Sequence, residues 1–217
     1  MRLRDRLGLG PETQRRLTWL MEVSLVGLLF VGLDRGSAGI VVNAGVALAV
    51  TQLPAVLERD YGVQIDPGIV LWLTTAVFLH ALGTVGPFGT ETSFYRSVWW
   101  WDHLTHALSS SVVAGVGYAV VRAVDVHSDE VVLPRRFMLA FLPVFVVAFG
   151  VLWEVVEFLL GELAALSGTG SVLTQYGLHD TMLDLAFDLV GAVVVAVWGT
   201  AHLSGLVDTV ARRFEAG

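Results

Sequence analysis

Residues 137–160 read FMLAFLPVFVVAFGVLWEVVEFLL and decide the fold class. Within this run the only ionisable side chains are Glu154 and Glu157. A predominantly apolar run of about 20 residues is long enough to cross the hydrocarbon core of a bilayer as an α-helix. The run therefore predicts a transmembrane helix that carries two glutamates.

The whole chain has the composition of an integral membrane protein. Of its 217 residues, 55% are hydrophobic and only 15% are charged, whereas an ordinary soluble domain has about 25% charged residues. The chain has no cysteine, which excludes disulfides and thiolate metal ligands, and its net charge of -7 excludes a general basic surface. We therefore expect the lipid bilayer as its surroundings and no nucleic acid among its partners.

Five other apolar segments complete the prediction of an all-α, polytopic transmembrane bundle of about six spans. Pro11 and Pro67 stand at predicted helix starts, and Pro54 predicts a kink near the end of the second span. The other spans are residues 17–33, 38–57, 67–86, 99–121 and 180–203. Residues 17–203 then form a single transmembrane domain, residues 1–16 an Arg-rich cytoplasmic segment, and residues 204–217 a cytoplasmic tail. Residues 87–98 and 161–177 are predicted exterior connections.

The distribution of arginine predicts that both termini lie in the cytoplasm, because cytoplasmic segments of membrane proteins are enriched in Lys and Arg. With the N-terminus inside, only Arg35 and Arg96 of the 13 basic residues fall on the exterior side. The inner segments contain Arg2, Arg4, Arg6, Arg15, Arg16, Arg59, Arg122, Arg135, Arg136, Arg212 and Arg213. We therefore predict a multi-pass protein of the plasma membrane with its N- and C-termini inside.

The last four predicted spans contain ionisable residues that are costly in a membrane, roughly 2.5–3.5 kcal/mol for an Asp at its centre. Members of each set are three or four residues apart and therefore share one helix face. The sets are Asp102 with His106, Glu154 with Glu157, and Asp180 with Asp184 and Asp188, while His80 stands alone late in the third span. Because successive spans alternate in direction, these groups lie toward the exterior face, with Asp188 about 12 Å deeper than Asp180.

Carboxylates and imidazoles that converge from several helices are the donors of a divalent metal site. We predict a mono- or dinuclear site for an ion such as Zn²⁺, Mg²⁺, Mn²⁺ or Fe²⁺, which would offset the repulsion between the carboxylates. The predicted ligands are His80, Asp102, His106, Glu154 and Asp184. Glu157 and Asp180 are the candidate catalytic bases. Such a site favours a metal-dependent hydrolase that acts on a lipid or lipid-linked substrate.

Two other interpretations of the same residues remain open. The polar groups could be structural contacts between helices in a non-catalytic scaffold. They could also form a proton or cation path, for which Glu22, Asn43, Thr51 and Gln52 are the polar candidates toward the cytoplasm. The sequence shows no inverted repeat or paired broken helices, which disfavours a secondary transporter. His103 projects about 100° from Asp102 on a helix and is predicted to be only a neighbour of the site.

The second half of the chain resembles the YjdF-like family of uncharacterised inner-membrane proteins. The resemblance covers residues 80–191 and rests on D-x-x-x-H at 102–106, E-x-x-E at 154–157 and D-x-x-x-D at 180–184, after the late His80. Thr105, Phe158 and Met182 depart from the family pattern, which has Gly, Trp and Gln there. Met182 removes one polar group from the surroundings of the site. The resemblance implies a shared site on these motifs and adds no substrate.

Overall fold

A computed structural model describes residues 10–87, 90, 92–127, 132–168, 170–173 and 175–215 of the chain. Within these residues the chain forms nine helices and no strand. The helices are α1 Pro11–Asp34, α2 Ala38–Thr51, α3 Leu53–Tyr61, α4 Pro67–Gly83, α5 Phe94–Ser97, α6 Trp101–His127, α7 Arg135–Ser167, α8 Leu178–His202 and α9 Ser204–Glu215. The all-α prediction is confirmed.

Several of these helices have the length and composition of membrane spans. In the described part of the chain, five helical stretches are long and apolar enough to cross a bilayer: Pro11–Asp34, Ala38–Tyr61, Trp101–Val126, Arg136–Ser167 and Leu178–Gly199. The apolar helix α4 has 17 residues and is therefore about 26 Å long, somewhat shorter than a hydrocarbon core of about 30 Å. The predicted membrane helices are thus present, five of full length and one short.

The chain divides into two compact units, residues 1–99 and residues 100–217. In the first unit, α1 packs against α2 and α4, and α2 also packs against α4. Leu25, Ala47 and Ala81 form a small buried core there. Gly32 allows the close approach of α1 to α2, because a Cβ at this position would lie 2.9 Å from the backbone nitrogen of Val41.

In the second unit, α8 packs along α6, while α7 packs against both of them and α9 packs mainly against α6. Gly191 on α8 faces the backbone of α6, where a Cβ would overlap Ser110 Oγ and the carbonyl oxygen of Ala107. α9 buries Val207 and Ala211, which are four residues apart and share one face. The second unit contains all the predicted site residues except His80.

The helix starts predicted at Pro11 and Pro67 are confirmed. α1 begins at Pro11 after Gly10, and Asp66 caps α4 by accepting a hydrogen bond from the Gly68 backbone nitrogen at 2.8 Å. In the second span the helix is interrupted at Gln52, two residues before Pro54. The predicted kink is therefore present, and it takes the form of a break between α2 and α3.

The end of the fifth span was predicted too early. α7 continues past residue 160 to Ser167, so the connection expected over residues 161–177 starts only at Gly168. The added turns contain Glu162, Leu163, Ala164 and Ala165, which are strong helix formers, and Gly168 ends the helix in the left-handed region at φ 66°. Residues 1–9 of the predicted N-terminal segment lie outside the described residues, and the predicted tail contains the helix α9.

Candidate metal centre

The first turns of α6 and the first half of α8 bring three predicted ligands together. Asp102 and His106 lie one turn apart on α6, and Asp184 faces them from α8. His106 Nε2 is 3.7 Å from Asp102 Oδ1 and 3.9 Å from Asp184 Oδ1. One ligand atom from each of the three residues lies within 4.8 Å of the other two. Three of the five predicted ligands therefore lie close together.

This cluster has the dimensions of a metal site. Ligand atoms about 2.1 Å from a single ion lie roughly 3.4 Å apart in a tetrahedral arrangement. The two distances from His106 Nε2 exceed that separation by only a few tenths of an ångström, which small side-chain rotations can remove. Two carboxylates and one imidazole are also donors that divalent ions accept. The residues fit a single divalent ion.

Asp184 shows why the cluster favours a cation. Its side chain is buried, with 2% relative exposure. Among the residues that the structure describes, no donor forms a hydrogen bond with Asp184 Oδ1. A buried carboxylate oxygen without a donor is costly, and a second carboxylate nearby raises that cost. An ion held between Asp102, His106 and Asp184 would satisfy this oxygen.

The other ring nitrogen of His106 contacts Asp188, one turn further along α8. His106 Nδ1 lies 3.3 Å from Asp188 Oδ1. An ionised carboxylate only accepts hydrogen bonds, so this contact places the proton of a neutral His106 on Nδ1. The lone pair of Nε2 is then directed toward Asp102 and Asp184, as a metal ligand requires.

His103 is a neighbour of the site, as its position on the helical wheel predicted. Its Nδ1 lies 3.9 Å from Asp184 Oδ1, and its ring stacks on Phe187 with a centroid separation of 4.5 Å and an interplanar angle of 2°. Phe187 fixes the plane of the ring. His103 is therefore in direct contact with α8, on the side that carries the acidic stripe, Asp180, Asp184 and Asp188.

Glu154, a predicted ligand, is held by hydrogen bonds from outside the cluster. Its Oε2 accepts a hydrogen bond from Thr181 Oγ1 at 2.7 Å and from Gln175 Nε2 at 3.2 Å, and Gln175 Nε2 also lies 2.9 Å from Thr181 Oγ1. Glu154 is buried, and in the described part of the chain its Oε1 has no hydrogen-bond partner. One carboxylate oxygen is thus fixed, and the other is available.

The two predicted bases have different surroundings. Glu157 is buried and its Oε1 accepts a hydrogen bond from Trp153 Nε1, one turn earlier on α7, at 3.0 Å. Asp180 lies in the first turn of α8 and accepts a hydrogen bond from the Tyr176 backbone nitrogen at 3.0 Å. The contact of Asp180 stabilises the start of α8, while that of Glu157 lies within α7.

His80, the fifth predicted ligand, belongs to the first unit. It lies at the end of α4, where its Nδ1 is 2.9 Å from the hydroxyl of Tyr95. The hydroxyl of Tyr95 also donates a hydrogen bond to the His80 carbonyl oxygen at 3.1 Å. The ligand role of His80 stays a prediction.

Asp188 was predicted only as the deepest acidic group of a possible cation path, and Thr181 and Gln175 were not predicted to belong to the site. The signal for Asp188 was available, since it continues the four-residue spacing of Asp180 and Asp184. Thr181 and Gln175 had no comparable signal, because an uncharged polar residue at a helix start resembles an ordinary capping or loop residue.

Below the acidic stripe the interior of the second unit becomes apolar. The described buried residues further along α6 and α8 are mainly Ala114, Tyr118, Ala119, Ala123, Ala192 and Val195. The buried hydroxyls of Ser110 and Ser111 donate to carbonyl oxygens of their own helix, those of Ala107 and Leu108. Among the described residues of this unit, the buried carboxylates Glu154, Glu157, Asp184 and Asp188 therefore all lie on the same side of this apolar region.

Comparison with known proteins places the chain in a family. The family model described as "Predicted membrane protein (DUF2238)" matches residues 16–205. A protein of Thermotoga maritima, described as "Uncharacterized protein", is 34% identical over 143 residues, which are 66% of this chain and 67% of that relative. No solved structure matches the chain.

Proposed function

Because the chain belongs to the DUF2238 family of predicted membrane proteins, and its helices hold a partly buried carboxylate–histidine cluster, we propose that it is a membrane protein with a divalent metal site. The ligands of this site are Asp102, His106 and Asp184, one atom of each lying within 4.8 Å of the others. The single observation that carries the proposal is Asp184 Oδ1, a buried oxygen for which no described residue supplies a hydrogen bond.

Glu154 is the fourth proposed ligand. Its Oε1 is buried without a hydrogen-bond partner among the described residues, while Thr181 and Gln175 fix its Oε2. The combination of carboxylates with one imidazole favours Zn²⁺, Mn²⁺ or Fe²⁺ over Ca²⁺, which prefers oxygen ligands alone. His80 remains a predicted further ligand.

We propose further that the protein hydrolyses an ester or phosphoryl bond of a lipid or lipid-linked substrate in the plasma membrane. A bound divalent ion lowers the pKa of coordinated water and polarises a carbonyl or phosphoryl oxygen. The ligands would hold such an ion toward one end of α6 and α8, near exposed apolar side chains such as Leu104 and Met182. Glu157 or Asp180 serves as the general base. On its motifs, we also identify the family of this chain with the YjdF-like proteins.

The apolar residues buried beyond Asp188 on α8 favour this proposal over a cation conduit. A conduit needs polar groups along its whole length. In the second unit the buried residues that follow Asp188 on α8 include Ala192 and Val195. Such a site is better suited to hold a catalytic ion than to conduct ions across the membrane.

The metal content of the purified protein tests the proposal. We expect one Zn²⁺ or Mn²⁺ per chain by elemental analysis in detergent, and removal of the ion by a chelator. Asp184→Asn keeps the size of the side chain and removes a charged ligand, so its affinity in calorimetric titrations should fall at least tenfold. Asp208→Asn is the matched control, because Asp208 is exposed on α9. Absence of bound metal in the wild-type chain, after titration with both ions, would contradict the proposal.

The hydrolase activity is tested separately. Detergent-solubilised protein with added Zn²⁺ or Mn²⁺ is incubated with a phospholipid and with a polyprenyl phosphate ester, and release of the water-soluble product is measured. We expect release that a chelator abolishes and that Glu157→Gln or Asp180→Asn reduces while metal content stays constant. A metal-loaded protein without release from either substrate would contradict the hydrolase and leave the metal site standing.

A further inference from the structure

We propose that Asp188 is the positioning residue of the metal centre: it holds the His106 ring by Nδ1, so that Nε2 is presented to the ion. This inference rests on the proposed metal site and goes beyond it, because it assigns a role to an acidic residue that supplies no ligand atom. When one ring nitrogen of a histidine binds a metal and the N–H of the other donates a hydrogen bond to a carboxylate, both the tautomer and the orientation of the ring are fixed.

The geometry separates Asp188 from the ligands. Its Oδ1 lies 3.3 Å from His106 Nδ1, whereas the ligand oxygens of Asp102 and Asp184 lie 3.7 Å and 3.9 Å from Nε2. The two nitrogens occupy different sides of the imidazole ring, so Asp188 and the ligand pair act on it from different directions. The ring of His106 therefore connects the buried carboxylate of Asp188 to the site, while Asp188 itself does not bind the metal ion.

Gly150 on α7 provides the space that Asp188 occupies. A Cβ at position 150 would overlap Asp188 Oδ2 and would lie 3.0 Å from Leu185 Cδ2. The Asp188 carboxylate is thus confined, with the backbone of α7 against Oδ2 and the ring of His106 against Oδ1. This confinement is independent of the hydrogen bond, and it shows that α6, α7 and α8 together hold the carboxylate in place.

Two alternative roles for Asp188 fit the structure less well. As a ligand it would need an oxygen on the Nε2 side of the His106 ring, whereas its Oδ1 contacts Nδ1. As a step in an ion path it would need a polar partner deeper in the unit, where Ala192 and Val195 are buried instead. Orientation of His106 is the role that its contacts support.

Two substitutions of Asp188 test the inference. Asp188→Asn retains an oxygen that accepts a hydrogen bond from Nδ1–H, while Asp188→Leu removes the acceptor at similar volume. We expect Asp188→Leu to lower the affinity for Zn²⁺ by about 10- to 100-fold, the usual effect of losing such a partner. Asp188→Asn should keep most of the affinity, and Asp208→Asn all of it. Gly150→Ala, which displaces the carboxylate without removing any ligand, should resemble Asp188→Leu.

A spectroscopic readout separates orientation from general stability. In ¹⁵N-histidine-labelled protein loaded with Zn²⁺, with the His106 signals assigned by their loss in His106→Gln, we expect a protonated Nδ1 and a zinc-bound Nε2 in the wild type and in Asp188→Asn. Asp188→Leu should shift the ring toward a mixture of tautomers. A wild-type tautomer in folded Asp188→Leu, or an unchanged Zn²⁺ affinity, would overturn the inference. A wild type that binds no metal contradicts the proposed site itself, whereas a metal-binding wild type with an unaffected Asp188→Leu contradicts only the role of Asp188.

Discussion

Thr181 is the residue that fixes Glu154, and its hydroxyl connects α8 to α7 through a hydrogen bond of 2.7 Å. We predict that Thr181→Val lowers the free energy of unfolding by about 1 kcal/mol, because Glu154 loses a donor and stays buried. Unfolding in mixed detergent micelles measures this change. Thr18→Val is the control, since the hydroxyl of Thr18 only donates to the Gln14 carbonyl oxygen within the same helix. Equal stability of the two variants would show that the Thr181 contact contributes nothing specific.

The spacing of residues in the sequence predicts which side chains come together, but not which of their atoms are in contact. A four-residue interval on α6 and another on α8 correctly predicted that Asp102, His106 and Asp184 approach one another. The interval assigns residues to a helix face, but it does not say which ring nitrogen of His106 meets which carboxylate. His103 was predicted to be only a neighbour of the site, and its Nδ1 lies 3.9 Å from Asp184 Oδ1. α8 lies close enough to α6 that it contacts more than one face of that helix.

At the scale of helices, the separation of α6 and α8 depends on Gly191. A Cβ there would overlap Ser110 Oγ and the Ala107 carbonyl oxygen, and it would lie 2.9 Å from the Ser111 backbone nitrogen. Backbone atoms cannot rotate away, so the two helices must move apart. We predict that Gly191→Ala destabilises the protein by about 1–3 kcal/mol. It should also weaken Zn²⁺ binding at least tenfold, because His106 and Asp184 are on different helices.

Gly161→Ala is the matched control for that substitution. Gly161 lies within α7, and nothing is within 4 Å of a Cβ built on it. Alanine is the better helix former by about 0.5–1 kcal/mol, so this variant should be at least as stable as the wild type and should bind Zn²⁺ unchanged. Thermal unfolding and calorimetric titration of both variants provide the comparison. If the two behave alike, close packing at Gly191 does not position the ligands.

Helices were easier to predict than their ends. The long apolar runs specified α1, α6, α7 and α8, because nothing but a helix satisfies its own backbone hydrogen bonds within lipid. The end of α7 was misplaced because hydropathy falls after residue 160, while helix propensity continues through Ala164 and Ala165 to Ser167. Polarity marks the limit of the membrane, and a helix can extend beyond it.

The direction in which the chain crosses the membrane determines which compartment the site faces. The arginine distribution predicts that the connection before α7 is cytoplasmic and that the connection after it is exterior. Val132 lies before α7 with 85% exposure, and Gly170 is exposed after it. The two positions therefore bracket one long helix and should lie on opposite sides of the membrane.

A single cysteine introduced at either position tests that prediction. The natural chain contains no cysteine, so no other residue contributes to thiol labelling. We expect a membrane-impermeant maleimide to label Gly170→Cys in intact cells, and to label Val132→Cys only after permeabilisation. The reverse pattern would place the termini outside, and equal labelling of both positions would mean that α7 does not span. Asp180 lies close to the end of α8 that follows Gly170, so exterior labelling of Gly170→Cys puts the cluster near the outer surface. A metal held there exchanges with the medium, and an impermeant chelator added to intact cells should remove it.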